Sequence, residues 1–206
     1  NIQTEFIGEC IGLGEDEPAG QIELGTLDFT LIRVGVALED RIPFIELFDE
    51  TQDTYDLAEA IFEGSYEDYV PEIARQFPEA NTYGDLMFFT HIGLRPVARG
   101  VRLGLAVVYK AIQDWASGCS LVVMNPYPLQ NGQLEPDGGE WAELDLKQFT
   151  DSFGDARQRL IAYYSQLGFK PAGDNPYIFF DPCIQQPRAS RLRFPETIFV
   201  DRQHLS

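Results

Sequence analysis

The chain has 206 residues, 44% of them apolar and 13% aromatic, with 33 acidic against 15 basic side chains for a net charge of -18. This length suits a single domain with a sizeable core, and without any apolar run of about 18 residues a membrane span is not expected. Direct nucleic-acid binding is disfavoured, since residues 1–85 carry 21 acids against only Arg33, Arg41 and Arg75, whereas residues 86–206 carry 12 of each sign.

Residues 1–26 read as an N-terminal extension, with short apolar segments around a turn at Gly14–Pro18. From Leu27 the pattern sharpens: Leu27, Phe29 and Leu31 alternate with polar neighbours. The phase then slips, so that Ile32, Val34, Val36 and Leu38 carry the alternation. One long strand with a bulge near Leu31 is expected, turning at Glu39-Asp40-Arg41 into a second strand from Ile42 to Phe48, a hairpin. Thr51 or Asp53 can cap a short helix with Leu57, Ala58, Ile61 and Phe62 inward. Ser65 with Asp68 resembles a second cap, and Pro71 suits the first turn of a helix carrying Ile73, Ala74 and Phe77.

Residues 85–118 form the central unit. Leu86 to Phe89, continuing through Ile92 and Leu94, is an apolar run of the kind found in a strand covered on both faces. Val101, Leu105, Val108, Ile112 and Trp115 are spaced as one helix face, and Gly118 follows where the helix should stop. Between strand and helix lies Arg99-Gly100-Val101-Arg102-Leu103-Gly104. Free N–H groups at a helix start, with two glycines, suit an anion such as a phosphate, though a plain helix start has the same signature. Neither the Walker pattern nor the dinucleotide fingerprint is present.

Cys119 to Met124 reads as a buried parallel strand, which makes strand, helix, strand a crossover unit. Residues 126–154 form a long insertion, rich in Gly, Pro and acids, anchored by Trp141, Leu144, Leu146 and Phe149; such a loop is often a lid or a partner surface. Asp155 with Gln158 resembles a capping box for a helix with Leu160, Tyr164 and Leu167 on one face. Gly168 and Phe169 end that helix. A hairpin-like pair follows at Phe169-Lys170 and Tyr177 to Phe180, and then a C-terminal extension, 181–206, with Arg188, Arg191, Arg193, Arg202 and a strand-like Thr197 to Val200. Cys10, Cys119 and Cys183 are an odd set at unrelated spacings, against a disulfide framework or a zinc site, so no metal is expected and Cys119 and Cys183 are expected in the core. The chain opens at Asn1 without a basic, then apolar, leader, and a cytoplasmic location is expected.

Two segments in this order, Arg99 to Gly104 and Leu160-Ile161-Ala162-Tyr163-Tyr164-Ser165-Gln166-Leu167-Gly168-Phe169, resemble the pyrophosphate loop [RQ]-x-x-G-x-[GA] and the L-x-x-[FY]-Y-x-x-x-G-F segment of the GNAT acyltransferase superfamily. The agreement spans residues 86–180. The resemblance implies a mixed α/β domain whose twisted, mostly antiparallel sheet splays at one parallel pair, with helices on both faces. It implies acetyl-CoA as acyl donor and transfer to an amine, small molecule or protein, that is cationic if it answers to the acidic field.

Carried over by residue, main-chain groups of Ile92 and Leu94 would pair with the pantetheine arm. The N–H groups of Arg99, Gly100, Val101, Arg102, Leu103 and Gly104 would hold the pyrophosphate, with Arg99 and Arg102 adding charge. Tyr164 would protonate the departing thiolate. His91 is the candidate base, with Glu46 and Asp85 as other carboxylate candidates, although a strand histidine or a solvated carboxylate has an ordinary structural reading. The chain departs from the family in placing Arg102 where the loop has glycine, in the hairpin expected at 27–48, and in the long 126–154 insertion. A non-catalytic coenzyme A-binding or protein-interaction module of the same fold is the alternative, and either can pair as a homodimer.

Overall fold

The computed structural model describes residues 2–10, 20–64, 68–132 and 142–184. Among these residues six strands form one sheet in the order β1-β2-β3-β4-β6-β5. They are β1 (Ile2–Cys10), β2 (Gly20–Ile32), β3 (Asp85–Leu94), β4 (Cys119–Met124), β5 (Lys170–Pro171) and β6 (Ile178–Phe180). Every pairing is antiparallel except β3 with β4. Residues expected as an N-terminal extension therefore supply an edge strand and half of its neighbour.

The expected hairpin at 27–48 does not form. β2 ends at Ile32, and two short helices come next, α1 (Val34–Glu39) and α2 (Phe44–Phe48). In α1 the buried residues are Val34 and Ala37, three apart, while Val36 and Leu38 are exposed. The apparent alternation thus holds a helical spacing as well. What decides it lies 50 residues away: Asp85 takes the Gly35 N–H at 3.2 Å and the Arg33 guanidinium at 2.9 Å, capping α1 from the start of β3. Pro43 then precedes α2.

Helix α3 (Gln52–Ile61) starts at Thr51, whose hydroxyl accepts the Thr54 N–H, and it buries Thr54, Leu57, Ala58 and Ile61. Helix α4 (Pro71–Gln76) begins with Pro71 and buries Ile73, while Ala74, expected inward, is exposed. Val70 rather than Asp68 occupies its cap position, and Ser65 lies outside the described residues. These four helices cover one sheet face, where Leu57, Ile61 and Ile73 meet Leu86, Phe88, Leu121 and Val123.

The other face carries α5 (Leu103–Trp115) and α6 (Phe153–Tyr164). Leu105, Val108 and Ile112 of α5 pack with Phe29, Met87, Phe89, Val122 and Met124, while Trp115, expected on the same inward face, is largely exposed at the helix end. Alternate residues of β3 and β4 thus feed two separate cores, each fully buried Leu or Phe side chain contributing ~1.5–3 kcal/mol. Helix α6 is capped by Ser152, which accepts the Asp155 N–H; Asp155 sits inside the first turn rather than at the cap. Gly168, at φ 113, turns the chain into β5, with Phe169 buried beyond it.

Cys119 is buried, but Cys183, expected in the core, is exposed, its thiol 3.4 Å from the Cys119 carbonyl. Trp141 and the tail beyond Ile184, including the arginines and the strand-like 197–200, lie outside the described residues. Among the described residues no helix is long and apolar enough to cross a membrane, and no three His, Cys, Asp or Glu side chains gather as metal ligands.

Candidate functional site

The β3–β4 pairing runs from Asp85↔Cys119 to Phe89↔Met124 and stops there. Asn125-Pro126 takes β4 out of the sheet, and proline has no N–H with which to extend a ladder. Strand β3 continues for five residues, Thr90 to Leu94, paired on its other side with β2. Thr90 is the extra residue in that pairing, between Phe29↔Phe89 and Asp28↔His91, a local bulge that re-aims the strand beyond it. The Arg95 N–H bonds the Leu24 carbonyl of β2. Main-chain groups alternate sides along a strand, so those of Gly93 also address β2 and those of Ile92 and Leu94 turn to the open edge.

A cavity of about 720 Å³ fills this opening, with Phe89, Ile92 and Leu94 on one wall, Met124 and Pro126 on another, and Leu160 of α6 facing them. Of the residues expected to hold a cofactor, Ile92, Leu94, Arg99, Gly100 and Gly104 line it, and Val101, Arg102 and Leu103 are not among its lining residues. Tyr164 and His91, the expected catalytic pair, both line it. Asp85 is at the far end of β3, engaged with Arg33, and Glu46 is exposed on α2; neither is among the lining residues.

The connection from β3 to α5 is a single 3-10 turn, Pro96–Ala98, then a tight turn in which Gly100 (φ 77) and Arg102 (φ 63) are both left-handed. Arg102 therefore adopts a conformation that costs a residue with a β-carbon ~1–2 kcal/mol. The departure from glycine is accommodated in the backbone, with the Arg102 side chain exposed. N–H groups of Val101, Arg102, Leu103 and Gly104 have no acceptor among the described residues, as expected for the first turn of a helix, and that turn of α5 holds no acid. Gly104 is buried, and a β-carbon there would come within 3.1 Å of the Tyr163 hydroxyl and 3.4 Å of Leu94.

Tyr163, unassigned from the sequence, is the tyrosine that reaches the loop. Its hydroxyl accepts the Leu105 N–H at 3.2 Å, bracing α6 against the start of α5. Burial pushes its phenol upward, and the Leu105 N–H and Arg102 partly offset this. Tyr164 points into the core cluster that contains Phe89 and Met124, the last paired residues, and its ring lies edge-on to Tyr163 and Phe169. Burial pushes the Tyr164 phenol well up, so it stays protonated over the whole physiological range. A signal for Tyr163 exists in the sequence: Ala156, Leu160 and Tyr163 are spaced four and three, a stripe that lines the cavity beside the stripe Leu160, Tyr164, Leu167.

His91 is half-buried, and poor solvation of its charged form lowers its pKa to about 4, so the ring is neutral near pH 7. The Arg99 side chain turns away from the loop. Its Nε donates to the Leu94 carbonyl at 3.0 Å, one terminal nitrogen donates to the Leu144 carbonyl, and its guanidinium lies 4.9 Å over the Phe149 ring. Arg95 pairs with Glu143 next to it. Part of the long insertion is thus tied to the end of β3, and Leu144, Leu146 and Phe149 close the cavity there. At the rim, Asp151 pairs with Arg159 at 2.5 Å. No family model, curated protein or solved structure matches the chain, and the chemistry of the site rests on its own geometry.

Proposed function

We propose that the chain is an acetyl-CoA-dependent N-acyltransferase of GNAT type, transferring an acetyl group to an amine by direct attack in a ternary complex. The observation that carries the reading is the opening beyond Phe89↔Met124: a strand edge with outward main-chain groups, a cavity of about 720 Å³, and the start of α5, whose first N–H groups have no acceptor among the described residues, at one end. An extended amide-bearing arm can add to such an edge as a strand does, and a diphosphate suits the N–H groups of Val101 to Gly104. Arg102 supplies charge at that turn, while the engagement of Arg99 with Leu94, Leu144 and Phe149 leaves it little to offer a phosphate. Tyr163 positions the loop through Leu105.

In this reading the thioester lies near Phe89 and Thr90. The amine attacks its carbonyl carbon, the carbon–sulfur bond breaks, and the thiolate takes a proton from Tyr164. Burial keeps Tyr164 protonated and so available as an acid, although a phenol pushed up gives its proton less readily. His91 is too weakly basic to deprotonate a free ammonium, and it can accept the amine proton only as attack develops, or pass it to water. The acidic field of the first 85 residues suits a cationic acceptor.

Titration with acetyl-CoA and thiol release in the presence of a panel of primary amines test the reading. Acetyl-CoA binding with amine-dependent release, lost in Tyr164→Phe, is the expected result; a fully active Tyr164→Phe would remove the acid from the mechanism. A second reading, a non-catalytic coenzyme A-binding module, is favoured by the burial of Tyr164 and the weak basicity of His91. Binding without turnover across the amine panel would select it.

A further inference from the structure

The insertion returns to the sheet at one place. Glu143 is paired with Arg95. Leu144 is 7% exposed, and the space above Gly93 is already taken: a β-carbon at Gly93 would come within 3.0 Å of a Leu144 methyl and 2.9 Å of His91 Nε2. The chain then turns through Asp145, left-handed at φ 40, so that Leu146 and Phe149 also line the cavity. Arg99 joins these points. It donates to Leu94 O at the end of β3 and to Leu144 O on the insertion, and it stacks on Phe149. Its remaining terminal nitrogen, Nη1, is buried with no acceptor among the described residues. A guanidinium fork is suited to bridging two carbonyls in fixed geometry, which a lysine ammonium cannot reproduce.

We infer that Arg99 is the latch of residues 143–149, and that Leu144, held by this latch, sets the size of the acyl group admitted beside Gly93 and His91. Arg99 is a positioning residue in this assignment. The latch stands on the contacts alone; the acyl-size part rests on the acyltransferase reading.

Hydrogen exchange of the ligand-free chain tests the latch without any substrate. In Arg99→Ala the main-chain amides of 143–149 are expected to exchange on the order of 10- to 100-fold faster, the range for losing a hydrogen bond from a charged donor, while amides of Phe88 and Val122 in the paired sheet keep their rates. Arg99→Lys, which keeps the charge and the fold of the turn, is expected to fall between wild type and alanine. Unchanged exchange at 143–149, or an equal acceleration across the whole sheet, would overturn the latch. For the size part, Leu144→Ala is expected to raise the ratio of butyryl-CoA to acetyl-CoA affinity about tenfold, the scale of one or two methylenes in an apolar pocket. An unchanged ratio overturns Leu144 as the limit. If neither ester binds the wild-type chain, the acyltransferase reading fails and the exchange result stands by itself.

Discussion

The two halves of β3 share a strand and differ in what flanks them. From Leu86 to Phe89 every side chain is buried and the backbone is paired with β2 on one side and β4 on the other. From Thr90 to Leu94 the only strand partner among the described residues is β2, and only Gly93 is buried. One half stores stability and the other leaves hydrogen-bonding groups along a cleft with apolar walls, of the kind where a ligand's amides and apolar groups can replace water. Phe89→Ala, in the paired half, is expected to cost ~3–5 kcal/mol. Ile92→Ala, in the open half, should cost only ~1 kcal/mol in proportion to its partial burial, while weakening acetyl-CoA binding. Denaturant midpoints for both variants check this, and equal losses would erase the distinction between the halves.

The next largest effects rest on the proposed acyl transfer. Tyr164→Phe is expected to lower kcat/KM about a hundredfold, the low end for losing a positioned acid, with acetyl-CoA affinity unchanged to within a factor of two or three. Arg102→Glu reverses a charge at the turn proposed to hold the diphosphate and should weaken acetyl-CoA binding on the order of tenfold, a loss that shrinks as salt is added. A salt-independent loss would instead point to a rearranged turn.

Legibility in the sequence divides along the same line. The paired half of β3, the buried β4 and the inward face of α5 are readable because apolar spacing alone determines them. The parallel β3–β4 pair is readable from the strand, helix, strand order, whereas the mostly antiparallel remainder of the sheet is expected only from the family resemblance. Helix α1 is not readable: Asp85 supplies its N-terminal acceptor from 50 residues away, so Ile32 to Leu38 looks like strand alternation. The engagement of the Arg99 side chain is not readable either, because nothing local shows that Leu144 and Phe149 return to meet it. Tyr163 is hidden behind its neighbour, since adjacent residues on a helix lie about 100° apart and the motif alone does not say which of the two stripes meets the loop.

His91 carries a smaller, pH-dependent effect. Its folded pKa is held down to about 4 by poor solvation of the charged ring, against 6.5 in the unfolded chain. Between those values the unfolded chain binds more protons, so the folded state loses stability as pH falls from about 6.5 towards 4. Urea midpoints across that window should fall less steeply in His91→Gln than in the parent chain, because the substitution removes this titration and leaves the carboxylates in place. Parallel slopes would mean that His91 is as well solvated folded as unfolded, and the open half of β3 would then be wetter than its geometry indicates.

The smallest expected effect is at Arg102, and it has the opposite sign. The residue sits at φ 63 with its side chain exposed, so its contribution to stability is mainly the cost of a left-handed β-carbon. Arg102→Gly removes that cost of ~1–2 kcal/mol and adds ~0.5–1 kcal/mol of unfolded-state entropy, for a net stabilisation of roughly 0.5 kcal/mol. The same change deletes a cation from the turn, so acetyl-CoA affinity should fall even as the denaturant midpoint rises. That split makes the variant informative: at Phe89 a substitution loses stability, whereas here stability and binding are expected to move in opposite directions. A midpoint that fell together with affinity would mean that the Arg102 side chain stabilises the turn by a contact beyond its backbone conformation, and the turn would belong with the structural half of the molecule.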